Sequence, residues 1–154
     1  MTERTLSVEQ HRQLAKDCFN GVWRLLERSD RTASQDLEMI HMAHASRHHW
    51  GIAGEAVNWA RGEWQCARVY AVLGRSEPAL VHAARSLALC LEHGIGDFDL
   101  AFAHEAMARA HRVEGQRDAC ARHLELAREA GAGIADEGDR RHFQGELASI
   151  GEGA

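Results

Sequence analysis

After a polar start, apolar residues recur at the three- and four-residue spacing of a helix face, and polar turns divide the chain into seven such segments. The first opens on the capping box Ser7-Val8-Glu9-Gln10 and runs through Leu14, Cys18, Val22, Leu25 and Leu26 to about Arg28. Thr32 to Gln35 offers the cap of a second, which carries DLEMIHMAHASRHHW to Trp50. Gly51 then fits the left-handed position that ends a helix, with Ile52 packing back on the last turn. A third segment, about Glu55 to Leu73, stops at Gly74. Ser76-Glu77-Pro78 opens the fourth with a hydroxyl cap, an acid near the positive helix end and a proline in the first turn. That helix, Ala79 to His93, again meets a Gly-Ile pair. The fifth spans roughly Asp99 to Val113 and the sixth Arg117 to Ala130. The last, Asp136 to Ile150, is more polar outside, as a helix shielding the end of a stack would be. Ala, Leu, Glu and Arg dominate and β-branched runs are missing, so the expected class is all-α.

Several marks repeat at one spacing. Gly62-Glu63-Trp64 echoes Gly21-Val22-Trp23, and Cys66 to Gly74 echoes Met107 to Gly115, both 41 residues apart. In the second echo Ala67/Ala108, Arg68/Arg109, Val72/Val113 and Gly74/Gly115 are identical. A shared period in independent marks is the signature of stacked repeats.

Tyr70, Gly74, Ala79, Ala83 and Ser86 fit the pattern of the tetratricopeptide repeat: a tyrosine in a first helix, then a glycine, then small residues in a second. His111, Gly115, Cys120, Leu124 and Ala127 follow it again, with histidine in the tyrosine slot and cysteine in an alanine slot. Residues 55–130 thus resemble that family, while residues 7–50 match only through Gly-x-Trp and the general layout. The period exceeds the family's usual length of about 34 residues, as in its extended variants. The resemblance implies a single domain of three antiparallel helical hairpins, over about 7–50, 55–93 and 99–130. They would form a right-handed stack closed by a capping helix at 136–150.

It also implies a groove on the first helices of the hairpins, where the family binds peptides or helices. Offsets from Tyr70 place Arg61, Trp64 and Arg68 there; offsets from His111 place Phe102, Glu105, Arg109 and Arg112; the first repeat contributes Asn20, Trp23 and Glu27. Arginine forks pair with carboxylates and tryptophans offer flat apolar surface, so a protein or peptide partner with an acidic segment or C-terminal carboxylate is expected. Both tryptophans could equally be core, with Gly21 and Gly62 allowing close helix packing and the arginines paired to Glu27, Glu63 and Glu105. An exposed groove and open stack ends also leave room for self-association.

Bulk properties narrow the classes. With 154 residues, 45% hydrophobic and 27% charged, the chain fits one globular core. A net charge of -5 argues against nucleic acid as partner. No apolar run is long enough for a membrane span, and the polar start is not a signal segment, so the expected location is the cytoplasm. The 4 cysteines, Cys18, Cys66, Cys90 and Cys120, lie far apart and suit buried free thiols.

Histidine is abundant, with 11 in the chain, and four crowd between Glu38 and Trp50. On a helix Glu38, His41, His44 and His48 fall within about a 120° arc. His44 and His48 have the i, i+4 spacing of metal ligands, and Glu38-x-x-His41 has that of di-iron helices. A transition-metal site or a small-molecule enzyme centred on these four is the alternative function. Against it, the chain has no second Glu-x-x-His and no HExxH. A third option is a polar pocket where these histidines meet Arg61, Glu63 or His82 and do acid–base work.

Overall fold

The computed structural model describes residues 5–151. Among them all regular structure is helical: α1 (Val8–Leu26), α2 (Ala33–Ala53), α3 (Ala56–Val72), α4 (Ser76–Glu92), α5 (Asp97–Glu114), α6 (Arg117–Ala132) and α7 (Glu137–Gly151). Both capping boxes form. Ser7 accepts from the Gln10 amide while Gln10 reaches back to Ser7, and Thr32 and Gln35 do the same at α2.

Three helices end where a left-handed residue was expected. Gly74 (φ 72°) closes α3, Gly94 (φ 63°) follows α4 and Gly115 (φ 82°) closes α5. In each case the next amide folds back on the helix: Arg75 to the Tyr70 carbonyl, Ile95 to Cys90 and Gln116 to His111. The end of α2 differs. Gly51 stays helical and α2 runs on to Ala53, ending at Gly54 in extended backbone (φ -114°). The Trp50 carbonyl accepts both the Gly54 amide and the Trp59 indole, which anchors this longer end to α3. Ser76 also differs. It is the first residue of α4 rather than its cap, a position taken by Arg75.

Helices adjacent in sequence pack on one another, and α3 also touches α1 and α5, while α5 also touches α7. The odd-numbered helices therefore lie side by side. α3 and α5 begin 41 residues apart, at Ala56 and Asp97, and so do α4 and α6, at Ser76 and Arg117. The core follows this order in three clusters, one around Val22, Met39 and Val69, one of Ala60, Leu89, Cys90 and Ala103, and a larger one reaching from Trp64 to Phe143 and Ile150.

Small residues set how closely the helices approach. A Cβ on Gly21 would meet the Met42 sulfur at 3.0 Å, and one on Gly62 would meet Arg47 Cδ at 2.9 Å, so both glycines face α2. Each tryptophan two residues on is thereby aimed at the other side, along the row of odd helices. Buried hydroxyls tie the layers: Ser46 donates to the Ala15 carbonyl at 2.8 Å and Ser86 to Ala60 at 2.9 Å. Phe143 of α7 packs directly on Gly131 of α6 and is fully buried.

Candidate functional site

The row of odd helices carries two neighbouring constellations. The first is a cavity of about 380 Å³ between α1, α3, α5 and α7. Phe19, Trp23, Trp64, Phe98 and Phe102 supply aromatic wall, and Arg61, Asp99, Asp139 and His142 supply polar groups. The rings touch in sequence: Trp23 and Trp64 lie 5.5 Å apart, Trp64 meets Phe102 edge-on at 5.5 Å, and Phe98 sits 4.6 Å from Phe102. Arg61 Nε and Nη2 grip the two Asp99 oxygens at 2.7 and 3.1 Å. That bond and the Asp99 charge raise the Arg61 guanidinium above its ordinary value against the effect of burial. Phe98 and Asp99 stand in the first turn of α5, just after Asp97, whose φ of 55° makes it the one non-glycine with left-handed backbone among the described residues. Its carboxylate accepts the Phe98 amide at 2.7 Å and the Ala135 amide at 3.3 Å, which pins α5 to the linker before α7.

One to two turns further along α3 and α5 the wall is closed. Glu105 is fully buried and receives three donors: Trp64 Nε1 at 3.0 Å, Arg68 Nη1 at 3.2 Å and Arg109 Nε at 2.7 Å. Arg68 also reaches Glu146 Oε2 at 3.0 Å, and Arg109 donates to the Glu146 carbonyl and to Ser149 Oγ, both at 3.1 Å. Two arginines and two carboxylates thus balance in charge. Burial and the neighbouring Arg109 lower the Arg68 guanidinium, opposed by Glu105 and Glu146. Trp23, Trp64, Glu105 and Glu146 are successive steps of 41 residues, so the carboxylate that closes the wall stands at the place in α7 that the tryptophans hold in α1 and α3.

Of the predicted groove residues, Trp23, Arg61, Trp64, Arg68, Phe102, Glu105 and Arg109 are brought to one wall. Asn20 lines a separate smaller recess with Lys16 and Phe19, and Glu27 and Arg112 line neither. The arginines of the wall do not project free forks. Asp99 holds Arg61, and Glu105 with Glu146 holds Arg68 and Arg109. Phe19, Phe98, Asp99, Asp139 and Glu146 were missed. The signal for Glu146 was present, because extending the ladder of Trp23, Trp64 and Glu105 by one more period lands on it.

The helix-two histidines are arranged differently. Glu38, His41, His44 and His48 lie along the exposed side of α2, opposite buried Met39, Ala43 and Ser46. His44 Nε2 is 2.8 Å from the Tyr70 hydroxyl, and its ring meets His82 edge-on at 5.2 Å. His82 Nδ1 lies 2.6 Å from Glu63, which Arg47 grips at 3.1 Å. Burial pushes the Glu63 carboxyl up, yet His82 and Arg47 together hold it below its usual range. Partial burial of the ring against Tyr70 and the facing His82 lower His44 despite Glu63. Of the expected pocket partners, Glu63 and His82 are present, while Arg47 stands where Arg61 was expected. His48 stacks edge-on with its neighbour His49 at 5.4 Å, away from this network. Among the described residues no three or more His, Cys, Asp and Glu side chains are arranged to hold a metal ion. Burial holds the Cys66 thiol up at about 12 and the Cys90 thiol at about 11, so neither is a ready nucleophile.

No helix among the described residues is long and apolar enough to cross a membrane. No family model matches the chain, and no curated protein or solved structure is significantly similar to it.

Proposed function

We propose that this chain is a peptide-binding module, a tetratricopeptide-like stack of three antiparallel hairpins with α7 as its cap, and that its recognition pocket is the aromatic cavity of the odd-helix row. The stack reading is supported by the pairwise packing of successive helices, the side-by-side odd helices and the recurrence of helix starts at a spacing of 41. The observation that carries the binding reading is the cavity: about 380 Å³ with Trp23, Trp64 and Phe102 on its wall. This volume falls at the lower end of the roughly 300–1,000 Å³ of ligand pockets, suited to one or two side chains of a bound segment. Large rings held by packing are the residue types that dominate recognition energy. The arginine–carboxylate cluster beside it contributes rigidity, since its donors and acceptors are already matched.

Selection of short random peptides by the immobilised protein tests the reading. The wild type should enrich a recurring motif. Trp23→Ala, checked for retained helicity and urea midpoint, should lose that enrichment. Equal enrichment by wild type and Trp23→Ala would place binding elsewhere and end the cavity assignment. Arg109→Ala should affect stability more than the motif.

The histidine-centred alternative has less to support it. His44 is engaged by Tyr70, and His48 turns to His49.

A further inference from the structure

The polar groups of the cavity define which side chain it takes, an argument that rests on the cavity being the binding site. Two carboxylates, Asp99 and Asp139, line it against one guanidinium, Arg61, with His142 beside them. Arg61 is spent on Asp99 through two hydrogen bonds. Asp139 makes no ion pair among the described residues and stands exposed at the rim. The indole N–H of Trp64 is committed to Glu105, so that ring lines the cavity with no donor to spare for a ligand. Aromatic faces carry negative potential and attract cations, and the closed cluster next door adds no net charge to change that balance.

We infer that the cavity takes a basic side chain of a bound peptide, arginine or lysine, with the cation against the Trp23, Trp64 and Phe102 rings and near Asp139. Arg61 acts there as a resident competitor: it is a cation already paired with the second carboxylate of the wall, and a ligand cation meets its repulsion.

The test uses three blocked peptides, acetyl-Leu-Arg-Leu-amide and its counterparts with citrulline or glutamate in the centre, followed by tryptophan emission of the full chain. Citrulline keeps the shape of arginine and removes its charge. The arginine peptide should bind about fivefold to tenfold tighter than the citrulline peptide, and the glutamate peptide weakest. Asp139→Asn should loosen the arginine peptide about threefold, in keeping with an exposed ion pair, and added salt should erase that difference. Arg61→Gln should tighten it, because the competing cation is gone and the Asp99 charge is no longer neutralised.

Equal binding of arginine and citrulline peptides, or tightest binding of the glutamate peptide with loss on Arg61→Gln, would overturn the cationic assignment and leave the cavity as a binding site. If none of the peptides alters the emission, or if Trp23→Ala binds the arginine peptide as well as the wild type does, the cavity reading falls and the inference with it.

Discussion

Two stretches of the same helices, one or two turns apart, use the same residue types to opposite ends. At Arg61, Trp64, Asp99 and Phe102 the wall of α3 and α5 stays open, and its rings border a cavity of about 380 Å³. At Arg68, Glu105 and Arg109 the wall is filled, because α7 brings Glu146 and Ser149 onto it. The difference lies in what α7 presents. Its first turns offer Asp139 and His142 at the cavity rim, whereas its last turns offer a carboxylate that completes a four-charge cluster. An arginine on a groove wall is therefore no measure of ligand binding until its partners are counted. Burial decides the energetics too. The Glu105 side chain is 1% exposed whereas the Arg61 side chain is 51% exposed, so the first is locked in the fold and the second is solvated.

The sharpest way to break this comparison is to remove the buried acid. Glu105→Ala leaves the Trp64 indole without its acceptor and Arg68 and Arg109 with Glu146 as their one remaining carboxylate, and truncating one partner of a buried ion pair costs about 3–5 kcal/mol. Urea unfolding should show a loss of that size, and Glu105→Gln a smaller one, since its amide oxygen still accepts from Trp64. A loss under about 1 kcal/mol for Glu105→Ala would mean the cluster is solvated like the open end.

Much of this arrangement was legible beforehand. Capping boxes marked two helix starts and left-handed glycines three helix ends, because those signals act locally, through one or two hydrogen bonds. Gly51 misled for the same reason. It carries the right residue for an end, but the contact of α2 with Trp59 prolongs the helix past it, and that contact spans residues no local motif contains. The site divides likewise. Seven of the ten groove residues line one wall, because residues three or four apart share a helix face, whereas Asn20, Glu27 and Arg112 do not line it. Glu105 was named beforehand as an arginine partner, whereas Asp99 and Glu146, which complete the pairing, come from helices facing the arginines of α3. The helix-two histidines show the same limit. Their shared arc was readable, but the partners Tyr70, His82 and Glu63 were set by packing among α2, α3 and α4.

Those histidines supply a second, smaller contrast with the permanently charged cluster. Burial lowers His44, His49, His104 and His123, each further depressed, except His104, by facing histidines. His44 faces His82, His41 and Glu63, while His123 faces His104, His111 and Arg122. A depressed base is held neutral in the fold, so the unfolded chain binds more protons between the ordinary histidine range near 6.5 and the lowered native values. Stability should be full above that range and fall as pH is lowered through it, seen as a declining urea midpoint between about pH 7 and pH 5. His123→Gln should flatten that decline, because His123 stacks on both His104 and His111. A midpoint independent of pH over this window would show that the histidines are as solvated in the fold as in the unfolded chain.

The smallest effect is expected at the open end, and it carries the most information about function. Arg61→Gln removes a guanidinium that is half in solvent, so the ion pair itself is worth about 1 kcal/mol or less. Its carboxylate partner is less exposed, at 13%, and keeps a hydrogen-bond donor in the glutamine amide. The urea midpoint should therefore move little, while Glu105→Ala in the neighbouring turn moves it far. A large loss of stability from Arg61→Gln would make Arg61–Asp99 a second closed cluster, with the cavity a packing gap beside it. A near-neutral change leaves a folded wall whose charge has been altered by one, which is the state in which the preference for a basic over a neutral peptide can be read without interference from the fold.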